Sequence, residues 1–290
     1  MKKLKLGFPK GSLYDSTVKL FKKAGIKISV SSRSYCPISD DDELEIMLIR
    51  TQEIARYVQD GFFDVGLAGY DWICESQAKV KEICELNYAR SGFGSVKWVL
   101  AVPDSSEVKS IKDLEGKRVA TELLNYTRKH FAKNKVKASI EFSWGTTEGK
   151  AGKFVDAIVE LTETGESLKA NKLRVIDEMF TSTTRLIANA NAFEDEWKRE
   201  KIENLAMLLK GALAAEGMVG LKMNVAVEFL EKIMALLPAL KKPTVSYLSD
   251  KKWVALEIIL EEKTVKKIIP ALKRSGATGI IEYPLNKIVY

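Results

Sequence analysis

The sequence predicts an α/β protein with two similar lobes and a separate C-terminal domain. Across the first two-thirds of its 290 residues, short apolar runs typical of buried strands alternate with helical segments, which favours mainly parallel sheets. Residues 61–69 (GFFDVGLAG) and 152–161 (GKFVDAIVEL) both place an aspartate directly before such a strand. This short match predicts two lobes built alike, with ligands bound in the cleft between them at the carboxyl ends of the strands.

The first lobe is predicted to comprise residues 1–95 and 184–215, and the second lobe residues 96–183. Alternating apolar residues predict strands, one-sided apolar faces predict helices, and glycine or proline ends each element. The predicted elements of the first lobe are a strand at 4–8, helices at 13–25 and 53–59, a strand from Val65 and a long helix at 194–215. Those of the second lobe are strands at 97–102, 118–121 and 153–161.

The order of elements changes in the third domain, residues 216–290. Strand, helix, strand, strand, helix, strand is the order of ferredoxin-like domains. The predicted elements are strands at 219–225, 244–248, 253–260 and 278–284, a helix at 226–237 ended by Pro238, and a helix at 263–276 ended by Gly276. This domain has no cluster of polar residues suited to catalysis, so regulation or assembly is its expected role.

The composition restricts the chemistry that this chain can perform. A single histidine, His130, excludes a zinc site built on several histidines. Catalysis must therefore depend mainly on carboxylates, hydroxyls, backbone amides and cations. The net charge of +7 makes polyanionic partners plausible. Three cysteines without a CxxC pair fit a reducing compartment. No run approaches the roughly 20 apolar residues of a spanning helix, and no signal-peptide core is evident, so we expect a cytoplasmic protein.

The most informative segment is AIVELTETGESLKANKL, residues 157–173. A strand carries Glu160 near its end, a polar turn over Thr162–Ser167 follows, and a helix begins near Leu168. The N–H groups and hydroxyls of such a turn suit a phosphate dianion, and neighbouring acids suit the hydroxyls of a sugar. The segment therefore indicates a site for ribose 5-phosphate. The alternative, a turn that only caps the next helix, is equally compatible with these residues.

Asp156 is a weaker candidate in the same segment. A strand rise of ~3.3 Å per residue places it about 13 Å from Glu160, so the two acids cannot readily grip one sugar diol. Asp156 is also the counterpart of Asp64 in the repeated segment, which favours a structural role at least as much as a binding role.

Several ordered segments resemble the ATP phosphoribosyltransferase family, the first enzyme of histidine biosynthesis. VDAIVELTETGESLKANKL resembles that family's signature for phosphoribosyl pyrophosphate (PRPP), and PKGSL (9–13) resembles its N-terminal PKGRL. The other similar segments are RTQEIARYVQDGFFDVGLAGYDW (50–72), RVATEL (118–123), GTTEGK (145–150) and the terminal IIEYPLNKIV, which resembles the regulatory domain of the long form. The resemblance covers nearly the whole chain.

The resemblance implies a reaction in which N1 of the ATP adenine attacks C1 of PRPP and pyrophosphate leaves, assisted by Mg²⁺. It implies a two-lobed, periplasmic-binding-protein-like catalytic core and a ferredoxin-like (ACT-like) regulatory domain, at which histidine acts as a feedback inhibitor. It also implies a homo-oligomer, expected to be a hexamer with dimers as its building block. No nucleic-acid or membrane partner is expected.

The resemblance and the positions at strand ends nominate four groups of site residues. The catalytic candidates are Lys10, Arg50 and Glu148, the first two for the polyphosphates and the third as a base if one is needed. The candidates for PRPP are Asp156, Glu160, Thr162, Glu163, Thr164, Gly165, Glu166 and Ser167. The candidates for ATP are Gly11, Gly69, Asp71, Thr121 and Glu122. The candidates for the effector are Asn224, Thr244, Ser246 and Ala277. No metal ligand is assigned, and Ser12 replaces the family's arginine, which makes Lys10 more important.

The alternative to a transferase is a two-lobed module that binds a solute without catalysis, such as a receptor or the effector-binding part of a regulator. The expected absence of a signal peptide, the lack of an evident helix-turn-helix and the Thr162–Ser167 turn all count against this alternative. Thermal stabilisation distinguishes the two, because PRPP should raise the melting temperature of a transferase. Stabilisation by an amino acid alone would favour a receptor.

Overall fold

The computed structural model describes residues 2–30, 34–89, 92–237 and 243–290. The chain divides into two compact units, Met1–Ala206 and Met207–Tyr290, and the division falls inside a long helix. Within the described residues, no helix is both long enough and apolar enough to cross a membrane.

The first sheet is built mainly from the amino-terminal part of the first unit. The elements here are β1 (Leu4–Lys10), α1 (Tyr14–Ala24), β2 (Ile28–Ser29), β3 (Ile38–Ser39), β4 (Leu44–Arg50), α2 (Thr51–Gln59), β5 (Val65–Gly69), α3 (Tyr70–Ser76), β6 (Lys81–Leu86), β7 (Tyr88–Ala89) and β8 (Gly92–Phe93). The helix at α1 ends as predicted at Gly25, which adopts φ 93°. All five residues of β5 are buried, as expected for a strand covered on both faces.

The second sheet follows, and the chain then returns to the first. The elements are β9 (Val96–Pro103), β10 (Arg118–Thr121), α4 (Leu124–Lys133), β11 (Ser139–Phe142), β12 (Ala157–Thr162), α5 (Glu166–Ala170), β13 (Leu173–Ser182), β14 (Thr184–Ala188), α6 (Ala190–Glu194) and α7 (Glu196–Ala214). Short 3₁₀ helices lie at Ile111–Leu114 and Thr147–Lys150. The predicted strand at 153–161 begins at Ala157 instead, because residues 152–155 form a turn closed by the Gly152 N–H on the Val155 carbonyl (2.8 Å).

The two sheets have equivalent strand orders, β4-β1-β5-β14-β6 and β11-β10-β12-β9-β13. In each sheet three parallel strands are followed by one antiparallel strand, β14 or β9, and then by an edge strand that again runs in the direction of the first three. The prediction of two similar lobes and the predicted two-lobed, periplasmic-binding-protein-like fold class are therefore confirmed. Four of the five strands of each sheet run in one direction, so the prediction of mainly parallel strands holds for these four. The exceptions are β9 and β14, which the chain enters as it passes between the lobes and which run in the opposite direction.

Asp64 and Asp156 occupy equivalent positions before the central strands. The Asp64 carboxylate accepts the N–H of Lys5 at 2.9 Å, and the Asp156 carboxylate accepts the N–H of Arg118 at 2.9 Å. The N–H of each aspartate in turn donates to the carbonyl of the same partner, again at 2.9 Å. Each aspartate therefore locks the start of a central strand to its parallel neighbour, which explains the repeated sequence pattern.

The second unit contains the third sheet. Its elements are β15 (Met218–Ala226), a 3₁₀ turn (Val227–Phe229), α8 (Leu230–Met234), β16 (Thr244–Tyr247), β17 (Trp253–Glu261), α9 (Glu262–Arg274) and β18 (Thr278–Pro284). The antiparallel order β16-β17-β15-β18 is ferredoxin-like, as predicted. The helix predicted over 226–237 is shorter, and its expected end at Pro238 lies outside the described residues. Gly276 adopts φ 103°, and a Cβ there would lie 2.7 Å from Phe229.

Candidate functional site

The carboxyl ends of the first sheet bring the two predicted cations together. Lys10 and Arg50 are register partners at the ends of the parallel strands β1 and β4. Both side chains are exposed, and the Lys10 ammonium lies 4.0 Å from the centre of the Tyr35 ring. Gly11 follows directly with φ 107°, a conformation that favours glycine. This edge therefore carries two exposed positive charges next to Gly11, whose backbone has no side chain to block a ligand.

Gly69 and Asp71 lie at the end of β5, where they join the lobes. A Cβ on Gly69 would lie 2.1 Å from the Asp71 carboxylate, so only glycine fits. Asp71 is 3% exposed, and its carboxylate accepts the Trp72 N–H and the Trp98 indole N–H, both at 2.9 Å. Its own N–H donates to the Ser182 hydroxyl at 3.0 Å, and burial raises the pKa of its carboxyl. We expected an ATP contact, but these bonds give Asp71 a structural position.

Thr121 and Glu122 end β10, at the carboxyl edge of the second sheet. Thr121 is fully buried, and its hydroxyl accepts the Leu123 N–H at 3.0 Å, so it orders the chain rather than facing a ligand. Burial raises the pKa of Glu122, and the charges of Asp71 and Glu148 raise it further. Glu122 is therefore the member of this pair that can act on a ligand.

The turn predicted to bind phosphate is held by its own hydroxyls. Gly165 adopts φ 77°, the left-handed conformation that a turn of this kind requires. The Thr162 hydroxyl accepts the Gly165 N–H at 2.9 Å, and the Thr164 hydroxyl accepts the Glu166 N–H at 3.4 Å. The Ser167 hydroxyl donates to Glu148 at 2.6 Å, which ties the turn to the GTTEGK segment. The exposed Glu163 completes the turn.

Glu160 is a half-buried acid directly before this turn. Burial raises its pKa to about 7, although hydrogen bonds from the Leu161 N–H, at 3.0 Å, and from Thr147 favour its charged form. The charges of Glu148 and Glu122 raise the pKa further. Three carboxylates from separate parts of the sequence thus lie near enough to one another, at the carboxyl edge of the second sheet, for the charges of two to raise the pKa of the third.

A polar cluster that the sequence analysis missed supports the loop after β11. Ser143 and Thr147 are fully buried, and their hydroxyls lie 2.8 Å apart. The Lys150 ammonium donates to the Ser143 hydroxyl at 2.7 Å. A run of small polar residues after an apolar strand was the available signal, but burial of the two hydroxyls depends on the fold.

Asp156 does not lie with the other residues nominated for PRPP. It precedes the start of β12, whereas the turn follows the end of that strand at Thr162, roughly 20 Å away at the usual strand rise. Its carboxylate is engaged with the Arg118 backbone and lies 3.9 Å from the Lys117 ammonium. We therefore assign Asp156 a structural role.

A cavity of 180 Å³ lies between the lobes and brings the two carboxyl edges together. It is lined by Ser12, Leu13, Thr51, Gln52, Gly69, Asp71, Trp72, Tyr88, Val96, Leu161, Glu163 and Ser182–Thr184. A larger cavity of 610 Å³ runs along β4, but none of the nominated residues lines it. The smaller cavity is therefore the better candidate for the reaction, because it adjoins the turn and the ends of the central strands.

The residues nominated for an effector form a row on the third sheet, with one exception. Ser246 and Asn224 both pair with Ala255, so they lie on the same face of the sheet. Thr244, two residues from Ser246 along β16, shares that face. Ala277 is fully buried just before β18, so its side chain is not open to a ligand.

Comparisons with known proteins identify the family of this chain. The family model described as "ATP phosphoribosyltransferase" (HisG) matches residues 50–211, and the model of its C-terminal domain matches residues 215–287. The ATP phosphoribosyltransferase of Prosthecochloris aestuarii is 59% identical over 99% of this chain and 97% of its own length. That of Thermodesulfovibrio yellowstonii is 54% identical over 99% of both chains. A chain of the ATP phosphoribosyl transferase (HisG:HisZ) complex from Thermotoga maritima is 27% identical, with a TM-score of 0.61 over 71% of this chain and 96% of that one.

Proposed function

This chain belongs to the ATP phosphoribosyltransferase family, and from that premise we propose how its residues join ATP to PRPP and how the reaction is controlled. Membership of the family gives the general activity: the chain is a pentosyltransferase that uses ATP and PRPP in histidine biosynthesis. The proposed reaction is attack of N1 of the ATP adenine on C1 of PRPP, with release of pyrophosphate. The observation that carries the proposal is the meeting of the Thr162–Ser167 turn with Glu122, Glu148 and Glu160 at one strand edge.

PRPP is proposed to bind with its 5-phosphate on the turn and its ribose on Glu160. The turn supplies hydroxyls and N–H groups to the phosphate, and Gly165 permits the close approach of the backbone. Ribose hydroxyls would donate to the Glu160 carboxylate, which favours its ionised form against the burial that raises its pKa. The phosphate and the sugar would therefore be oriented by neighbouring parts of one strand and turn.

The pyrophosphate group is proposed to face the positive edge of the first lobe. Displacement at C1 passes through an oxocarbenium-like state while charge accumulates on the leaving group. Lys10 and Arg50, paired at the ends of β1 and β4, are placed to stabilise that charge, with Gly11 offering backbone contact. Catalysis would then depend on holding two polyanions in line rather than on a covalent intermediate.

Mg²⁺ is the proposed cofactor. In the part of the chain that the structure describes, no three His, Cys, Asp or Glu side chains converge on a metal position. Mg²⁺ commonly binds one or two carboxylates together with substrate phosphates. Glu122 and Glu148 fit this pattern, because the charge of Glu148 acts directly on Glu122. They are the residues that would hold the ion, which would supply positive charge to the substrate phosphates.

The reaction is tested by mixing ATP, PRPP and Mg²⁺ and measuring PRPP-dependent release of pyrophosphate. Lys10→Ala and Arg50→Ala should each lower kcat/KM by about 100-fold, since each removes a charge that stabilises the leaving group. Lys3→Ala is the matched control, because Lys3 is exposed at the opposite end of β1. No product at high enzyme concentration would reject the proposed reaction, and equal effects of all three variants would reject the roles of Lys10 and Arg50.

Histidine is proposed to inhibit the enzyme by binding to the third sheet. Asn224, Thr244 and Ser246 offer polar groups on one face of that sheet. Asn224→Ala should weaken inhibition at least tenfold without changing the uninhibited rate. Lys267→Ala, on the exposed side of α9, is the control. Unchanged inhibition of the Asn224 variant would show that histidine does not bind at this face of the third sheet.

We propose that the chain assembles into a homohexamer built from dimers. We also propose that it works in the cytoplasm. The third sheet exposes Ile259 (45%) and Ile281 (57%), the kind of apolar surface that assembly buries. Light scattering during gel filtration measures the mass directly, and a monomer at micromolar concentration would reject the assembly. Cell fractionation tests the location.

A further inference from the structure

Trp144 lies at the carboxyl edge of the second sheet, the edge that carries the candidate ligand-binding residues. All five tryptophans lie within the described residues, and Trp144 alone is exposed, at 92%. It follows β11, the parallel neighbour of β10, and therefore shares the carboxyl edge that carries Glu122 and the PRPP turn. A large aromatic side chain left in water at such an edge suggests contact with a ligand.

The local structure holds this indole in place. The Phe142 ring packs edge to face against Trp144, with centroids 4.7 Å apart and an interplanar angle of 76°. On the other side, Gly145 and Thr146 have φ values of 116° and 49°, and the latter is unusual for a residue other than glycine. Backbone strain of this kind persists where the surroundings enforce it and often marks a functional site.

The loop that follows Trp144 is anchored at three points. The buried hydroxyls of Ser143 and Thr147 lie 2.8 Å apart, and Lys150 donates to Ser143 at 2.7 Å. Glu148 accepts the hydroxyl of Ser167, which belongs to the PRPP turn. The loop is therefore anchored to the second sheet and tied to the PRPP turn.

We propose that the Trp144 indole is the surface on which the adenine of ATP stacks as N1 approaches PRPP. Phe142 is in register with Thr121, and Thr121 with Val159, so the end of β11 lies two strand spacings, about 10 Å, from β12. An adenine whose N1 contacts the ribose of PRPP at the end of β12 is large enough to reach Trp144 after the end of β11. A purine offers the flat face that stacking requires, and such stacking makes no demand on the phosphates.

The inference rests on the proposed position of PRPP at the turn, but it concerns ATP alone. Binding of ATP with Mg²⁺, and separately of PRPP with Mg²⁺, would be measured by calorimetry for Trp144→Ala, Trp144→Phe and the control Phe154→Ala. Phe154 is also exposed (67%) but lies beside Asp156, at the opposite end of β12. We expect Trp144→Ala to weaken ATP binding about tenfold, Trp144→Phe to restore most of it, and PRPP binding to stay within twofold throughout.

Three outcomes would overturn the inference: ATP affinity of Trp144→Ala within twofold of the parent, equal loss for Phe154→Ala, or equal loss of ATP and PRPP. If Trp144→Ala melts at a much lower temperature, fluorescence decides instead. ATP should quench the parent's tryptophan emission, and Trp144→Phe should remove that quenching while still binding ATP. Unaltered quenching in Trp144→Phe would also overturn the inference. Loss of PRPP binding in Gly165→Val bears on the turn alone, so the two ideas fail separately.

Discussion

The Trp98 indole N–H donates to the buried Asp71 carboxylate at 2.9 Å, and this bond joins the two lobes. Asp71 lies at the start of α3, after the central strand of the first sheet, whereas Trp98 lies on β9 of the second sheet. Ser182, at the end of β13, receives the Asp71 N–H beside the point where the chain returns to the first sheet. One buried acid thus links both lobes at the place where the chain passes between them.

Replacing Trp98 tests how much this link stabilises the protein. Trp98→Phe keeps an aromatic ring but leaves one oxygen of a buried carboxylate without its donor, so the free energy of unfolding should fall by about 1–3 kcal/mol. Urea unfolding measures this change. Lys97→Ala on the same strand is the control, because its ion pair with Glu178 is exposed and is expected to contribute less than about 1 kcal/mol. Equal losses in both variants would contradict the role of the bond.

Gly165→Val should abolish or strongly weaken PRPP binding while leaving the fold intact. A Cβ at Gly165 meets no atom within 4 Å, so the effect comes from a φ of 77° that a β-branched residue rarely adopts. Gly116→Val is a matched control, since Gly116 has φ 74° and the same open surroundings but lies before β10, away from the turn. Calorimetry with PRPP distinguishes them. The same affinity in both variants would remove the turn from the PRPP site.

Glu160 should make stability depend on pH in an unusual direction. Its pKa of about 7 in the folded chain lies above the ordinary value of 4.5, so between these values the folded chain keeps a proton that the unfolded chain has lost. The free energy of unfolding therefore falls as pH rises through this window. Glu160→Gln should remove that fall and, at pH 8, be more stable than the parent by about 1–2 kcal/mol, a figure reduced for partial exposure.

Urea unfolding between pH 5 and pH 8 measures this dependence. Glu107→Gln is the control, because Glu107 is an exposed acid of the same lobe. The Glu160 variant should also bind PRPP about tenfold more weakly, since an amide accepts sugar hydroxyls less well than a carboxylate. Parallel pH profiles for the parent and Glu160→Gln would show that the acid is not buried as described.

Asp156→Asn should weaken the fold without weakening PRPP binding. The change removes charge from an acid that accepts the Arg118 N–H, and Asp64→Asn should do the same at the equivalent Lys5 N–H. Asp156→Asn should lower the free energy of unfolding by about 1 kcal/mol. Asp64→Asn should lower it by more, because the buried Asp64 carboxylate also pairs with the Lys198 ammonium at 2.7 Å. PRPP affinity of Asp156→Asn should stay within twofold of the parent. A tenfold loss of PRPP affinity with unchanged stability would restore Asp156 to the binding site.

Where local pattern decides position, the sequence predicted strand ends and a turn that carry nominated residues. Lys10 and Glu160 each lie at or near the end of a strand that alternation or an apolar run predicts, and the Thr162–Ser167 turn is encoded by contiguous polar residues around one glycine. The strand that ends at Arg50 was not predicted. Parallel strands then bring such ends to one edge, so the general position of the cleft also follows.

The same local patterns did not predict which polar side chains are buried or which distant residues they contact. Asp71 resembles a ligand-facing acid on a turn, yet its partners Trp98 and Ser182 lie 27 and 111 residues away. Asp156 resembles a second sugar-binding acid until the start of β12 is known. The Ser143 and Thr147 hydroxyls become a buried pair only once the loop after β11 has folded.

The sequence by itself determined the two-lobed α/β class, the repeated aspartate before each central strand, the ferredoxin-like order of the last domain and the membership of the family. These are properties of local period, turn chemistry and contiguous motifs. Only the tertiary structure decided the direction of β9 and β14, the burial of Asp71 and the raised pKa of Glu160. Strand direction, burial and pKa depend on which distant segments pack together, and no local spacing encodes that pairing.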